Sequence, residues 1–319
     1  MEPEEKARLA VRESFDKEAM SINKTETGFA NDSFFISLPG GHEVFLKIHG
    51  LDESYRESFM TEPSILELLS GETSVNAPEN IHVESESEAL EKPYHFLEKL
   101  PGRTIAFPGS EVDFQRLSID RKLSIAEDLA LNIAGYHSID FSEPGEIGLK
   151  DGKITVKSYE DWREAFRELI DWIYDIAEGN GFGSEIEDLR EFMESNIGLL
   201  PRETRNVLLH REIDGKNVLV NRNRVGVVDW EGCCSGHYEL DLGIAQSRFF
   251  GPNFQSEETV ERYSSRLYSV YDDIRGLDAG WRERKDIYIA FGLLWNLAFV
   301  QNESRKQLYL QRAGDIIYS

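Results

Sequence analysis

The sequence predicts an α+β protein of two unequal lobes: a small N-terminal lobe on an antiparallel sheet and a larger, mainly helical C-terminal lobe. Three observations lead there. The first hundred residues carry short β-branched and aromatic runs separated by turn residues, the chain beyond Pro101-Gly102 repeats apolar residues at helical spacing, and a second hairpin signal at Val218 to Val228 interrupts the helical part. A chain of 319 residues is long enough for two such units. The expected division is residues 1–101 and 102–319.

The clearest early unit is Ser33-Phe34-Phe35-Ile36-Ser37-Leu38, a Pro39-Gly40-Gly41 turn, and Glu43-Val44-Phe45-Leu46-Lys47-Ile48. The strand period of two places Val44, Leu46 and Ile48 on one face and Phe45 and Lys47 on the other. A helix is expected from Pro63 to Leu69, because proline is tolerated in a helix's first turn. That reading leaves Glu62 at the helix entrance. Asn80 to Val83 and Tyr94 to Glu98 read as strands, the second broken by Pro101-Gly102. Ile125, Leu129, Ile133 and Tyr136 then mark one helix ending near His137. Trp162, Phe166, Leu169, Ile170, Ile173 and Ile176 mark another, opened by Ser158-x-x-Asp161 and stopped at Gly179. Two more helical stretches cover Val260 to Tyr271 and Ile287 to Phe299.

The chemistry concentrates in Leu209-His210-Arg211-Glu212-Ile213-Asp214-Gly215-Lys216-Asn217 and Asp229-Trp230-Glu231. Val218 to Val220 and Val225 to Val228 flank a polar turn and read as a hairpin. Its closure is expected to make Asn217 and Asp229 cross-strand neighbours, with Cβ atoms roughly 5 Å apart. Two oxygen ligands at a strand end suit Mg²⁺, which binds hard oxygens and takes few protein ligands. Glu212, on the loop leading in, faces the same place. Asp214 is a second candidate base, although Asp214-Gly215 also fits a turn.

His210-x-Glu212-x(4)-Asn217 followed by Asp229-Trp230-Glu231 resembles the catalytic and metal loops of the aminoglycoside phosphotransferase and choline kinase family, small-molecule relatives of the protein kinases. The resemblance implies a protein-kinase-like fold and ATP- and Mg²⁺-dependent transfer to a hydroxyl of a small molecule, with GTP as another possible donor. It implies Glu212 as the catalytic carboxylate, standing where the family has aspartate, with Asn217 and Asp229 on metal. It also implies a phosphate-gripping Lys47 paired with Glu62, a nucleotide loop over Thr27 to Asn31 including Gly28 and Asn31, and an adenine-holding linker from Glu98 to Leu100. His210 and Asp241 would orient and brace the catalytic loop. From the side chains alone, Lys47 equally fits an exposed edge strand and Glu62 a helix cap. Because Glu212 replaces aspartate, a kinase-like nucleotide-binding protein with little transfer activity is the alternative function.

Asp plus Glu number 59 against 35 Lys plus Arg, a net charge of −24. Such a field disfavours nucleic acid and anionic membrane surfaces as partners. Two explanations stand: a solvated acidic surface of the kind halophilic archaea use, or an acidic cleft for cationic substrates. Cys233 and Cys234 are adjacent, unlike a disulfide framework or a zinc pair. The N-terminus lacks signal-peptide character, and no apolar run reaches the roughly 20 residues of a membrane span, so a cytoplasmic protein is expected. If the acidity serves a halophilic surface, the thermal midpoint will rise from dilute buffer to concentrated KCl; equal stability in both would contradict it.

Overall fold

The computed structural model describes residues 1–25, 31–50, 53–105, 114–222, 224–253 and 257–318. The first lobe runs α1 (Pro3–Phe15), β1 (Ser21–Lys24), β2 (Asp32–Ser37), β3 (Glu43–Ile48), α2 (Arg56–Glu72), β4 (Asn80–Glu84) and β5 (Tyr94–Glu98). Its sheet has the order β1-β2-β3-β5-β4, antiparallel throughout. The strand alternation decides what each face meets. Val44, Leu46 and Ile48 join Phe34 and Ile36 in a core closed by Ala7, Ala10 and Val11 of α1. Lys47 points the other way, and the β3–β5 register sets His95 opposite it. Helix α1 was not expected in this strand-rich stretch. Its start is marked by a proline in the first turn and by Glu4 and Glu5, but its buried face is short: Ala7, Ala10 and Val11, with Phe15 at its end on Phe96.

Helix α2 corrects the expected start at Pro63: it begins at Arg56 and carries Pro63 inside, so Glu62 lies in the second turn and not at the entrance. An interior proline costs about 3 kcal/mol in an isolated helix. Tertiary contacts override that preference here, since Phe59 is buried and stacked on His95 at 4.5 Å between centroids, and Glu62 is itself 1% exposed.

The second lobe comprises β6 (Arg103–Thr104), α3 (Ile119–Tyr136), β7 (Asp140–Phe141), β8 (Gly145–Lys150), β9 (Lys153–Ser158), α4 (Trp162–Gly179), α5 (Ser184–Asn196), β10 (Asn206–Leu209), β11 (Val218–Asn221), β12 (Arg224–Val227), β13 (Cys234–His237), α6 (Glu239–Ile244), a π-helical segment Ala245–Phe250, α7 (Glu257–Arg275), α8 (Trp281–Phe299) and α9 (Glu303–Ile317). The apolar α8 forms its axis: Phe166 of α4 packs on Tyr288 and Phe291, and Trp162 donates its indole N–H to the Tyr288 hydroxyl at 2.8 Å. Asp161 caps α4 by accepting the Glu164 N–H. A sheet of order β7-β10-β13-β8-β9 sets β10 and β13 side by side, the strands that lead into and out of the site. Among the described residues no helix is long and apolar enough to cross a membrane.

The lobes join through two crossings onto the β11–β12 hairpin. In one, Asn76 accepts the Val227 N–H at 3.0 Å and donates its side-chain amide to the Val225 carbonyl at 3.0 Å. In the other, the chain after β5 turns at Gly102, with φ +147°, into β6, which pairs with β11. A Cβ on Gly102 would lie 3.1 Å from Leu219 Cβ and 3.3 Å from the Val220 carbonyl carbon. Gly102→Ala is therefore expected to destabilise the protein by upwards of about 1 kcal/mol, read as a lowered urea midpoint.

Candidate active site

Lys47 is the centre of the cleft side of the first lobe. Its ammonium is 2.7 Å from Glu62 Oε2, 2.8 Å from Asp229 Oδ1, and also pairs with Glu231 Oε1. The strand period turns Lys47 away from the α1 core, and the second turn of α2 brings Glu62 to it. Glu62 Oε2 also meets His95 Nε2 at 3.0 Å, while Oε1 accepts the Trp230 N–H at 2.9 Å. One carboxylate thus ties α2, β5 and the segment after β12 together.

Burial alone would lower the Lys47 pKa, but Asp229, Glu231 and Glu62 outweigh it and hold the group well above its ordinary value. Glu62 is pushed up by burial, then pulled well below the usual carboxylate range by Lys47 and His95. Burial keeps His95 neutral by lowering its pKa, so its Nε2 is the donor to Glu62. Glu231 goes the other way: burial, with Asp229 and Glu62 nearby, raises it to about 7 against the pull of Lys47. Oxygens of Glu62, Asp229 and Glu231 lie within 4.8 Å of one another.

The loop after β10 is shaped by the buried carboxylate of Asp241. Its Oδ2 accepts the His210 N–H and the Tyr136 hydroxyl, both at 2.8 Å, and its Oδ1 accepts the Arg211 N–H at 2.8 Å. Holding two consecutive N–H groups fixes the left-handed Arg211, φ +65°, a conformation that costs a non-glycine residue free energy. His210 completes the turn: Nε2 donates to the Val228 carbonyl at 3.0 Å and Nδ1 accepts the Glu212 N–H at 3.2 Å. Burial lowers its pKa and keeps that neutral tautomer. His137 also packs here, on Tyr271 and Asp241.

Glu212 follows directly. Burial and the neighbouring Asp229 and Asp214 raise its carboxyl to about 7, with Arg248 and Arg211 pulling against them. Room for its long side chain comes from Gly232, where a Cβ would lie 2.9 Å from Glu212 Oε1. Asp214 takes the turn role: Oδ1 accepts the N–H groups of Lys216 and Asn217, and Oδ2 binds Arg248 at 3.0 Å. Asn217 spends its amide nitrogen on the Glu212 carbonyl at 3.2 Å, leaving the amide oxygen, the atom a hard cation takes.

The expected direct pairing of Asn217 with Asp229 is corrected by one residue. Val218 pairs with Val227, and the Val228 N–H bonds the Asn217 carbonyl at 3.0 Å, so Asp229 lies just past the paired end. There φ of +69° turns the chain, and its carboxylate, 46% exposed, meets Lys47. Asn31 donates to Glu231 at 2.7 Å and accepts the Gly50 N–H at 3.2 Å; Gly28 lies outside the described residues. In the linker Leu100 is buried and Glu98 is exposed on β5. Sequence reasoning gave no role to Glu231, His95 or Arg248. Glu231 stood within the quoted motif, whereas His95 is found only through the β3–β5 register. Arg248 is brought in by the π-helical segment.

The profile of a family described as "Phosphotransferase enzyme family" matches residues 21–278. Among solved structures, the chain is similar to a fructosamine-3-kinase candidate from Thermobifida fusca (16% identity, TM-score 0.68, 98% of each chain covered). It is also similar to one from Haemophilus somnus (22%, 0.65, covering 98% of this chain and 95% of that one). A thermostable mutant of the aminoglycoside phosphotransferase APH(4)-Ia, in ternary complex with AMP-PNP and hygromycin B, is similar at 14% identity and TM-score 0.69, covering 98% and 97%. No curated protein sequence matches the chain. These likenesses give the two-lobed, α+β, kinase-like fold.

Asp241 offers a direct check. Asp241→Asn puts an amide N–H₂ among N–H donors, with an expected loss of about 1–3 kcal/mol in urea unfolding. Burial raises the Asp241 pKa, but His137 and His210 outweigh it and leave the group depressed. Its stabilisation is therefore present above the unfolded value of about 3.9 and lost as pH falls through the lower folded value. The variant should lose that part of the acid-unfolding slope.

Proposed function

Because the chain belongs to the phosphotransferase enzyme family, we propose that it transfers the γ-phosphoryl group of ATP, held on Mg²⁺, to a hydroxyl of a small molecule. The observation that carries this reading is the convergence on Lys47 of Glu62 from one lobe and Asp229 from the other, at 2.7 and 2.8 Å, beside a loop presenting Glu212 and Asn217. The first lobe, with residues 1–101, is read as the nucleotide-binding part, and residues 102–319 as the part that holds the catalytic loop and the acceptor.

The donor set fits a hard divalent cation: the Asn217 amide oxygen and the Asp229 carboxylate, with the Glu231 carboxylate close by. Mg²⁺ bound there would neutralise charge on the phosphates. Lys47, fully protonated and pinned by Glu62, positions the phosphate oxygens. Asn31 and Glu98 to Leu100 line the nucleotide side. Glu212, with a pKa near 7, is matched to general-base work at neutral pH. The acceptor hydroxyl's proton passes to Glu212, its oxygen attacks the γ-phosphorus in line, and the bond to the leaving ADP oxygen breaks. His210 and Asp241 position Glu212 without touching the reactants.

Three variants separate binding from chemistry. Asp229→Asn should abolish Mg²⁺-dependent stabilisation by ATP in thermal unfolding. Glu212→Gln should keep that stabilisation and lose about 10²–10⁴-fold in kcat, measured as ADP release over a panel of hydroxylated acceptors. Glu212→Asp retracts a carboxylate that the space at Gly232 accommodates, so kcat should fall by at least about tenfold; a rise would mean that glutamate handicaps the site. Wild-type binding of ATP with no turnover of any acceptor would favour the nucleotide-binding alternative, to which the Glu212 replacement points.

A further inference from the structure

At the end of β13, on a different side chain cluster from the cleft, His237 is fully buried and its Nε2 has no hydrogen-bond partner. Its Nδ1 is engaged, 2.8 Å from the Tyr288 hydroxyl. The orphan Nε2 is aimed at Asp278 Oδ2, 3.9 Å away, too far for a hydrogen bond. Glu239 Oε2 lies 3.9 Å from the other ring nitrogen. One ligand atom from each of His237, Glu239 and Asp278 lies within 4.8 Å of the other two. A buried polar nitrogen without a partner costs free energy unless something else satisfies it.

We propose that His237, Glu239 and Asp278 form a second, structural site for a divalent transition ion of the Zn²⁺ class. Imidazole with two carboxylates is a ligand set that such ions accept at about 2.0–2.2 Å, with further positions open to water. The ring ligates through Nε2 with its proton on Nδ1, where the Tyr288 oxygen accepts it; the Trp162 indole N–H already fixes that oxygen, an outer-shell arrangement of the kind that orients metal-bound histidines. Ligand atoms on one such ion stand closer than 3.9 Å, so the site must contract slightly. Asp278 can supply the movement. It is 67% exposed and stands between Gly276 and Gly280 in the α7–α8 connection. Glu239 is clamped by Arg284 at both oxygens, Nε donating to Oε2 at 2.9 Å and Nη2 to Oε1, one lone pair of each being engaged. This leaves its remaining lone pairs for the ion and offsets one of the two carboxylate charges. Ligation would fasten the start of α6, two residues before Asp241, to the α7–α8 connection.

The test uses the full chain stripped with EDTA and titrated with Co²⁺ and Zn²⁺, reading the visible Co²⁺ absorption and the thermal midpoint. Asp278→Ala, at an exposed position, keeps the fold; Asp229→Ala removes the cleft's own affinity for metal. The expected result is one ion bound in Asp229→Ala, with a raised midpoint, and at least about tenfold weaker binding when Asp278→Ala is added. Equal affinity with and without Asp278, or no ion bound once Asp229 is removed, would overturn the proposal.

Discussion

One buried ammonium holds the cleft together. Lys47 is 5% exposed, and an unpaired charge at that depth would be far too costly to leave in place. It is retained because carboxylates from two lobes share it, and two of the three have a second hold: Glu62 on His95 and the Trp230 N–H, Glu231 on Asn31. Three carboxylates around one ammonium leave surplus negative charge, since His95 is held neutral. Anionic phosphates would be repelled by that surplus on their own, whereas a cation arriving with them balances it. Glu231, raised first by burial, is raised further by Asp229 and Glu62, the same imbalance seen from one group.

The C-terminal side answers with a different device. Asp241 spends its charge on backbone N–H groups and a tyrosine hydroxyl instead of a cation, and so sets loop geometry without adding a mobile side chain. His210 passes that order on to Glu212 and Val228. Asp214, joined to Arg248, anchors the far end of the loop. The Glu212 carboxylate thus stands on a scaffold whose members are nearly all buried, an arrangement suited to chemistry in which placement matters most.

Much of this was legible in the sequence, and the exceptions share a cause. The β2–β3 and β11–β12 hairpins were readable because strand period and turn residues are local. The apolar faces of α3 and α4 and their ends near His137 and Gly179 were readable for the same reason, while their starts were not: Ser118 caps α3, and Asp161 caps α4, with Ser158 still in β9. Pro63 misled because a local rule about proline was overruled by the burial of Phe59 and Glu62. Helix α1 was missed because its buried face is short, Ala7, Ala10 and Val11 with Phe15 at the end, too few positions to show a helical period. The strands β7, β10 and β13 pair across long separations, and β7 is only two residues long, whereas β8 and β9 close a local hairpin on Asp151-Gly152, a turn signal that was legible and went unread. His95 and Arg248 are site neighbours by register and by helix geometry, information that no window of sequence contains. The Asn217 and Asp229 misplacement was a slip of one residue along a correctly located hairpin, enough to matter because side chains alternate faces.

The π-helical turn at Ala245–Phe250 has a consequence for how this chain can vary. Such a segment accommodates an extra residue within helical winding. Removing one residue there would relax it to ordinary α geometry and leave the winding on either side in register, but it would take away the widened turn that carries Arg248 to Asp214 and over the Trp295 ring, 4.7 Å away. Substitutions around the loop after β10 can be absorbed one side chain at a time, whereas a single-codon deletion in this segment would remove the place on which that arginine stands. Length at this point is a more stringent constraint than residue identity.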